Sequence, residues 1–331
     1  MAILSIGLSC CDQFFFINKF IVENKKEFST DFIQSGGGPC GNASYLLGKW
    51  GVKHYHITSL KNDAQGNFLL QDLNEVGVDT SYALLDEHQV TPLSAVIINN
   101  DNASRSIITY KNQKDKVISP EYLVKLDQLI SELNQAGQTE QAGQTEQAGQ
   151  TDPHLVLVDG HELELSEYII PRLNHKVVVM DGGNLRDSNL KLAKYTDYLV
   201  ASENFAQDLI KANLDNPQNQ LHALEEIAKL CQTDNTPVIT LGDRGCIYLK
   251  EGELCSLPAY QCSPLDTTGA GDIFHGAFVY GLLQGWDLVK ILKVASLTSA
   301  MSVEQKGVRQ AMPELQEVLH NYENNVYPVR Q

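Results

Sequence analysis

The sequence predicts an α/β protein: a doubly wound, mostly parallel sheet flanked by helices, with a small β-sheet lid. Two observations predict it. From residue 155 onward, short continuous apolar runs at 155–159, 177–181, 198–201 and 238–241 alternate with helical patterns. Runs of that kind are parallel strands buried on both faces, and their alternation with helices is the doubly wound pattern. Earlier in the chain, four strand-like runs at 14–22, 28–33, 92–99 and 105–111 lack intervening helices, so they form a second, smaller sheet.

Taken in order, residues 3–8 are a short apolar strand, and 14–22 and 28–33 alternate around the polar turn 23–27. Residues 41–50 read as a helix and 53–59 as the strand after it. The amphipathic stretch 68–76 ends at Gly77, a residue suited to the position just past a helix. Residues 92–99 and 105–111 make a hairpin across "NNDNAS". The segment 135–151, "QAGQTEQAGQTEQAGQT", repeats a six-residue unit without one large apolar side chain. It cannot bury enough surface to offset ordering entropy and reads as a flexible, solvated insert. Residues 1–331 thus form a single domain, with the lid at about 13–35 and 90–112.

Composition narrows the function. Against 25 Lys and Arg stand 41 Asp and Glu, for a net charge of −16, which argues against nucleic-acid or membrane-surface partners. An anionic ligand therefore needs a local trap such as a helix N-terminus. No stretch approaches the roughly 18 apolar residues of a membrane span, and the N-terminus lacks the charged region of a signal peptide. The seven cysteines are odd in number, scattered and free of CxxC pairs, as expected of reduced thiols in the cytoplasm.

Two glycine loops carry the chemistry. The first is "SGGGPCGNASYLLGKWG", residues 35–51. Gly36, Gly38 and Gly41 match GxGxxG, with Asp63 downstream. A dinucleotide loop, however, follows the first strand directly, and here residues 9–35 intervene. Pro39 removes a backbone donor such a loop uses. Trp50 after Gly48-Lys49 excludes a Walker A loop. Three successive glycines instead indicate close approach by a ligand or backbone, and Asn42 offers a donor and an acceptor beside them. The second loop is "DTTGAGDIFHGAFVYGLLQGW", residues 266–286. Small residues at 269–271 leave the first-turn amides of an apolar helix open, and the helix dipole adds positive potential. Such a site holds a phosphoryl group as its charge develops. Asp272 at the helix start is placed to reach a hydroxyl beside that phosphate; its bland role would be a helix cap.

Together these segments resemble the PfkB (ribokinase-like) family of carbohydrate kinases over nearly the whole chain. "GGGPCGNASYLLGKWG" resembles its N-terminal signature and "DTTGAGDIFHGAF" its C-terminal one. "NDAQG" at 62–66 and "TLGDRG" at 240–245 follow the family's order and spacing. The resemblance implies ATP-dependent phosphorylation of a small molecule's hydroxyl, with Mg2+. It makes Asp272 the catalytic base and Gly269, Ala270 and Gly271 the anion hole. Asp12, in "GLSCCD", becomes the residue that grips substrate hydroxyls, with Gly38 and Asn42 as further substrate contacts. Thr240, Gly242 and Gly245 fall on the ATP side. Asp266 and Thr268 match positions that bind a monovalent cation in some members, a role left open here.

Several positions depart from the family pattern. Where it carries Asn-x-x-Glu to place metal and phosphates, this chain has "SENFA", leaving Glu203 as the nearest carboxylate for a metal or as a solvated helix-start residue after the cap Ser202. Cys10 and Pro39 replace the Asn and Lys of ribokinase proper. "GGGP", "DGGNLR", "SENFA" and "GDIFHGAF" are nearer to the ketohexokinase and sulfofructose kinase subset, so the expected substrate is a ketose or related sugar. His161, Glu162 and Arg186 are candidates to reach it, with Arg105 folding over it from the lid. Such lids often pair between subunits, and Phe14, Phe15 and Phe16 suit a strand covered on both faces, so a homodimer through the lid is expected. Two alternatives stand: a nucleoside kinase of the adenosine type, and a catalytically weak sugar-binding regulator on the same fold.

Overall fold

A computed structural model describes residues 1–101, 104–111, 116–139, 152–231 and 236–330. β1 (Ile3–Ile6) is followed by β2 (Cys10–Ile17), β3 (Asp31–Gly37) and α1 (Pro39–Lys49). Next come β4 (Tyr55–Ile57), β5 (Ser59–Leu60), α2 (Ala64–Glu75), β6 (Leu84–Leu85), β7 (Leu93–Asn99) and β8 (Arg105–Tyr110). The middle of the chain alternates through α3 (Pro120–Thr139), β9 (His154–Val158), α4 (Leu163–Ile169), β10 (Lys176–Gly182) and α5 (Asp187–Ala193). It continues with β11 (Tyr198–Ser202), α6 (Glu203–Ile210), α7 (Pro217–Leu230) and β12 (Val238–Thr240). β13 (Cys246–Lys250), β14 (Glu253–Leu257), α8 (Ala270–Leu283), α9 (Leu288–Ser302) and α10 (Leu315–Glu323) complete it.

Among the described residues the large sheet has eight strands, ordered β14-β13-β12-β11-β10-β9-β1-β4. From β4 to β12 neighbours run parallel; β13 and β14 join antiparallel at the edge. Alternate strand residues feed two cores because successive side chains point to opposite faces. Leu155, Leu157, Val179 and Val200 pack with α1, α8 and α9, while Val156, Val158, Val178 and Met180 pack with α3 to α7. The doubly wound architecture read from the apolar runs is what forms. The hairpin β13–β14 escapes that reading. Its turn is set by Glu251 (φ 54°) and Gly252 (φ 82°), a positive-φ pair that suits the twist of a tight hairpin.

The smaller sheet is ordered β3-β2-β7-β8. Its first two strands correct the sequence expectation of 14–22 and 28–33. Pairing of β2 with β7 from Cys11↔Leu93 to Ile17↔Asn99, and burial of Phe14 and Phe16, pull the strand toward the N-terminus. Phe20, Ile21 and Val22 are left outside any strand and exposed. Asp12 and the first glycine pair consequently lie on strands rather than in loops.

α1 begins with Pro39 as its first residue, where a missing N–H costs nothing. α2 is capped by Asp63, whose carboxylate accepts from Gly66 N at 2.8 Å, so that acidic residue has a structural use. α8 is buried continuously from Ile273 to Gly281. Gly276 lets it close onto α1, since a β-carbon there would lie 2.9 Å from the Ala43 carbonyl oxygen. That contact brings the start of α8 against the start of α1. The first five residues of the 135–151 repeat end α3; the rest, 140–151, lies outside the described residues. No described helix is long and apolar enough to cross a membrane, and all seven cysteines are free thiols.

Candidate active site

Parallel strands of the large sheet end at one edge, the place where open α/β sheets bind ligands. Asp159 stands just past the end of β9, Asp181 near the end of β10, and Thr240 ends β12. Asp159 is fully buried and accepts from the amides of Leu8 (2.8 Å), Cys40 (3.2 Å) and His161 (2.9 Å). Burial alone would raise its carboxyl, but His161 and these amides hold it below the ordinary value. Asp159 thereby ties the first glycine loop and the start of α1 to the sheet. Gly38, the N-cap of α1, sits at φ +86° against the Leu8 carbonyl, where only glycine is relaxed.

Asp12 lies on β2 opposite Ser35 and Ser94. A side chain at Gly37 would collide with its carboxylate. Around it the sheet is polar: Cys10 Sγ lies 3.0 Å from Ser94 Oγ, and Ser94 Oγ lies 3.0 Å from Thr109 Oγ1. Asp12 is 8% exposed, and its Oδ1 has no hydrogen-bond partner among the described residues. Burial pushes its carboxyl up to about 6, with Asp272 adding to the rise and Cys10, Ser94 and Arg309 opposing it.

Across from Asp12, Asp272 occupies the first turn of α8. Asn42 Nδ2 donates to its Oδ2 at 2.7 Å, so the two glycine loops meet through a hydrogen bond between residues 230 positions apart. Burial raises the Asp272 carboxyl above its ordinary value, and the Asn42 bond counters that rise. Gly269, the N-cap of α8, has φ +74°. A β-carbon on Gly271 would meet nothing within 4 Å, and Ala270 and Gly271 border a cavity, so the first turn is open at these residues. Behind them His275 Nδ1 lies 2.7 Å from the Gly271 carbonyl and 3.3 Å from Asp181. Burial raises Asp181 to about 6. A cavity of about 470 Å³ adjoins this helix start, lined by Thr240, Gly242, Gly245, Ala270, Gly271 and Phe274 among others.

The profile of the pfkB family of carbohydrate kinases matches residues 2–315. The chain belongs to that family. Ribokinase from Lactococcus lactis is 27% identical over 312 residues, covering 91% of each chain. The 5-dehydro-2-deoxygluconokinase of Bacillus subtilis is 24% identical, covering 96% of this chain and 94% of its own. The structure of Arabidopsis thaliana ribokinase complexed with ribose and ATP superposes with a TM-score of 0.73 at 19% identity, over 96% of this chain and 97% of that one. The protein is a pfkB-family phosphotransferase acting on a hydroxyl group.

The structure places the remaining candidates of this kinase as follows. Asp266 is buried, accepting from Thr268 N at 2.9 Å and Gly307 N at 3.1 Å, and Thr268 Oγ1 has no partner among the described residues. Glu203 starts α6 after the cap Ser202 and pairs with Arg244 and with Gln207 Nε2. His161 is half-buried beside Arg186, whose Nη1 lies 2.5 Å from Nε2, and burial pushes the ring down to about 4. One expectation is corrected. Glu162 does not reach outward; it is bound by Ser59 Oγ (2.6 Å) and Lys116 Nζ (2.6 Å) as a buried tie. Arg105 reaches from β8 to Thr267 Oγ1 (2.6 Å), lines the 470 Å³ cavity, and its charge acts on Asp272.

Sequence reasoning missed Asp159, Asp181, His275 and Arg309. The two carboxylates close predicted strands at the edge where ligands bind, a signal that was there to be used. Arg309, in "KGVRQAMP", had no such signal.

Proposed function

We propose that this kinase transfers the γ-phosphate of ATP directly to a hydroxyl of a small sugar, a ketose or related carbohydrate, with Asp272 as general base. The observation that carries the reading is the position of Asp272, hydrogen-bonded to acceptor-side Asn42 and mounted on the open first turn of α8. Asp12, whose Oδ1 is unpartnered, accepts sugar hydroxyls and with Gly38 and Asn42 orients them. Asp272 takes the proton of the reacting hydroxyl as that oxygen bonds to the γ-phosphorus and the bond to the ADP oxygen breaks. A carboxylate raised above its ordinary value is a better proton acceptor near neutrality. The amides around Gly269, Ala270 and Gly271 receive the charge developing on the phosphoryl oxygens, and Thr240, Gly242 and Gly245 border the nucleotide phosphates.

The nucleotide is read as its magnesium complex. Among the described residues no group of three or more His, Cys, Asp or Glu could hold a metal. Glu203 is the nearest carboxylate to the expected position but is engaged by Arg244. Asp266 and the unpartnered Thr268 Oγ1 would hold a monovalent cation, whose charge would steady the loop into α8.

A sugar is favoured over a nucleoside by what surrounds Asp12: Cys10, Ser35, Ser94 and Thr109 share its face of the smaller sheet, while Phe14 and Phe16 on that face are fully buried in the core and offer no open ring for a nucleobase to stack on. This sheet serves as the lid, and its outer face as the contact for a homodimer. The test is ATP turnover across ketoses, aldoses and nucleosides, with Asp272→Asn beside the wild type. We expect turnover with a sugar and a loss of about a thousandfold in kcat in the variant. Turnover confined to nucleosides would replace the substrate class. Saturable sugar binding without turnover would make the protein a regulator.

A further inference from the structure

We propose that Arg309 is a positioning residue for phosphoryl transfer: it holds the side-chain oxygen of Asn42, so that the Asn42 amide presents its NH2 group to Asp272. The inference rests on the assignment of Asp272 as proton acceptor. Arg309 lies between α9 and α10, two residues after Gly307, and is 3% exposed. Its guanidinium pairs with Asp72 of α2, lies 4.9 Å from the Tyr45 ring centroid of α1, and donates from Nε to Asn42 Oδ1 at 3.4 Å. Asn42 Nδ2 then donates to Asp272 Oδ2 at 2.7 Å.

The chemistry of the two neighbours fixes the amide. Arg309 has donors and no acceptor, and an ionised Asp272 has acceptors and no donor. Only one of the two orientations of Asn42 satisfies both. The other sets its carbonyl oxygen against a carboxylate and its NH2 against a guanidinium. Gly36 makes room for this: any side chain there would run into the guanidinium. One nitrogen of Arg309, Nη2, has no hydrogen-bond partner among the described residues. Burying an incompletely satisfied guanidinium is costly, and an apolar side chain would fill such a site with less penalty. Its retention here is accounted for by orienting Asn42.

Asp272 is surrounded by titratable groups on every side: Asp12 from β2, Arg105 from β8, Asp159 past β9, Asp181 from β10, and His275 from α8 itself. Arg309 faces Asp72, Tyr45, Asp12 and Cys11. Asn42 is the neutral donor among them, and its bond favours the ionised carboxylate. Losing its orientation therefore moves Asp272 protonation to higher pH.

The experiment is a carboxyl-carbon NMR titration of Asp272, assigned with Asp272→Asn, in wild type and Arg309→Met, with kinetics alongside. In Arg309→Met the titration and the acid limb of kcat should both move up by about one pH unit. kcat should fall about tenfold, the worth of one hydrogen bond to a charged group, with the KM for ATP within about twofold. With Asn42→Ala in the background, removing Arg309 should cost nothing further. A purely structural role would lower the yield of folded protein and leave the titration in place. If Arg309→Met does not fold, Asp72→Asn and Arg309→Lys carry the same readouts. A folded variant in which Asp272 titrates as in the wild type, or strict additivity with Asn42→Ala, overturns the proposal. A wild type without turnover on any acceptor would remove the role of Asp272 while leaving the titration result to stand.

Discussion

Asp12 shows what burying a functional carboxylate does. In the unfolded chain it has the ordinary value of 3.8, and in the folded protein burial raises it to about 6. The folded state therefore holds that proton more tightly. Stability owed to the protonated form is present below about pH 4 and lost as pH rises through 6, leaving a penalty on the order of 2–3 kcal/mol at pH 7. Asp12→Asn should accordingly raise the melting temperature at pH 7, with the advantage gone at pH 4. The same change should raise the KM for the sugar at least about tenfold, since the amide replaces one of the two acceptor oxygens of the carboxylate by a donor NH2 and removes the charge. Thermal denaturation at the two pH values, with steady-state kinetics, checks both halves. A variant less stable than wild type at pH 7 would mean that Asp12 makes compensating bonds in the folded state. In the wild type, sugar affinity should weaken as pH falls through about 6, because protonation removes one of the acceptors.

At the scale of elements, α8 separates two glycines that look alike in "GAGD". Gly269 is held at φ +74°, and a β-carbon there would press into Val308. Gly271 lies inside the helix at ordinary φ with open space beyond it. Gly271→Ala should therefore fold at least as well as wild type, gaining up to about 1 kcal/mol of helix propensity, yet lose kcat because a methyl group intrudes on the phosphoryl site. Gly269→Ala should lose both stability and activity. Melting curves and single-turnover rates distinguish the two; normal turnover in Gly271→Ala would place the phosphoryl group elsewhere. The contrast also shows what was legible in the sequence. The start of α8 was readable because small residues before a long apolar run admit few structures, and β9 to β12 because continuous apolar runs must be buried on both faces. β2 and β3 were misplaced by several residues, since "FFFINKFIV" stays apolar beyond the point where pairing with β7 ends. The Asn42–Asp272 contact was out of reach, being set by how closely Gly276 lets two helices approach.

For the whole molecule, the smaller sheet raises the question of what covers it. Its inner face buries Phe14, Phe16, Val96 and Ile98 in the core shared with α1, α8, α9 and the large sheet. Strand alternation puts Phe15, Phe32, Ile97, Ile108 and Tyr110 on the other face, as the pairings Phe15↔Phe32, Phe15↔Ile97, Ala95↔Ile108 and Leu93↔Tyr110 require. There Phe32 is 51%, Ile108 68% and Tyr110 66% exposed. A contiguous apolar face of this kind marks an interaction surface. A net charge of −16 disfavours association of two copies at random, so a specific apolar patch must outweigh it. A second copy of the same sheet is the occupant proposed, in keeping with the predominance of two-fold dimers. The wild type should sediment at twice 36.7 kDa at micromolar concentration. Ile108→Lys, which places a charge on the exposed β8 side of the patch, should weaken association by about a hundredfold or more without unfolding a sheet whose other face stays packed. Because Asp12, Ser94 and Thr109 lie on the strands that would pair across the interface, the monomeric variant should also show a raised KM for the sugar with its KM for ATP unchanged. A wild type that sediments as a monomer, or an Ile108→Lys monomer with unaltered sugar kinetics, would detach the acceptor site from the interface.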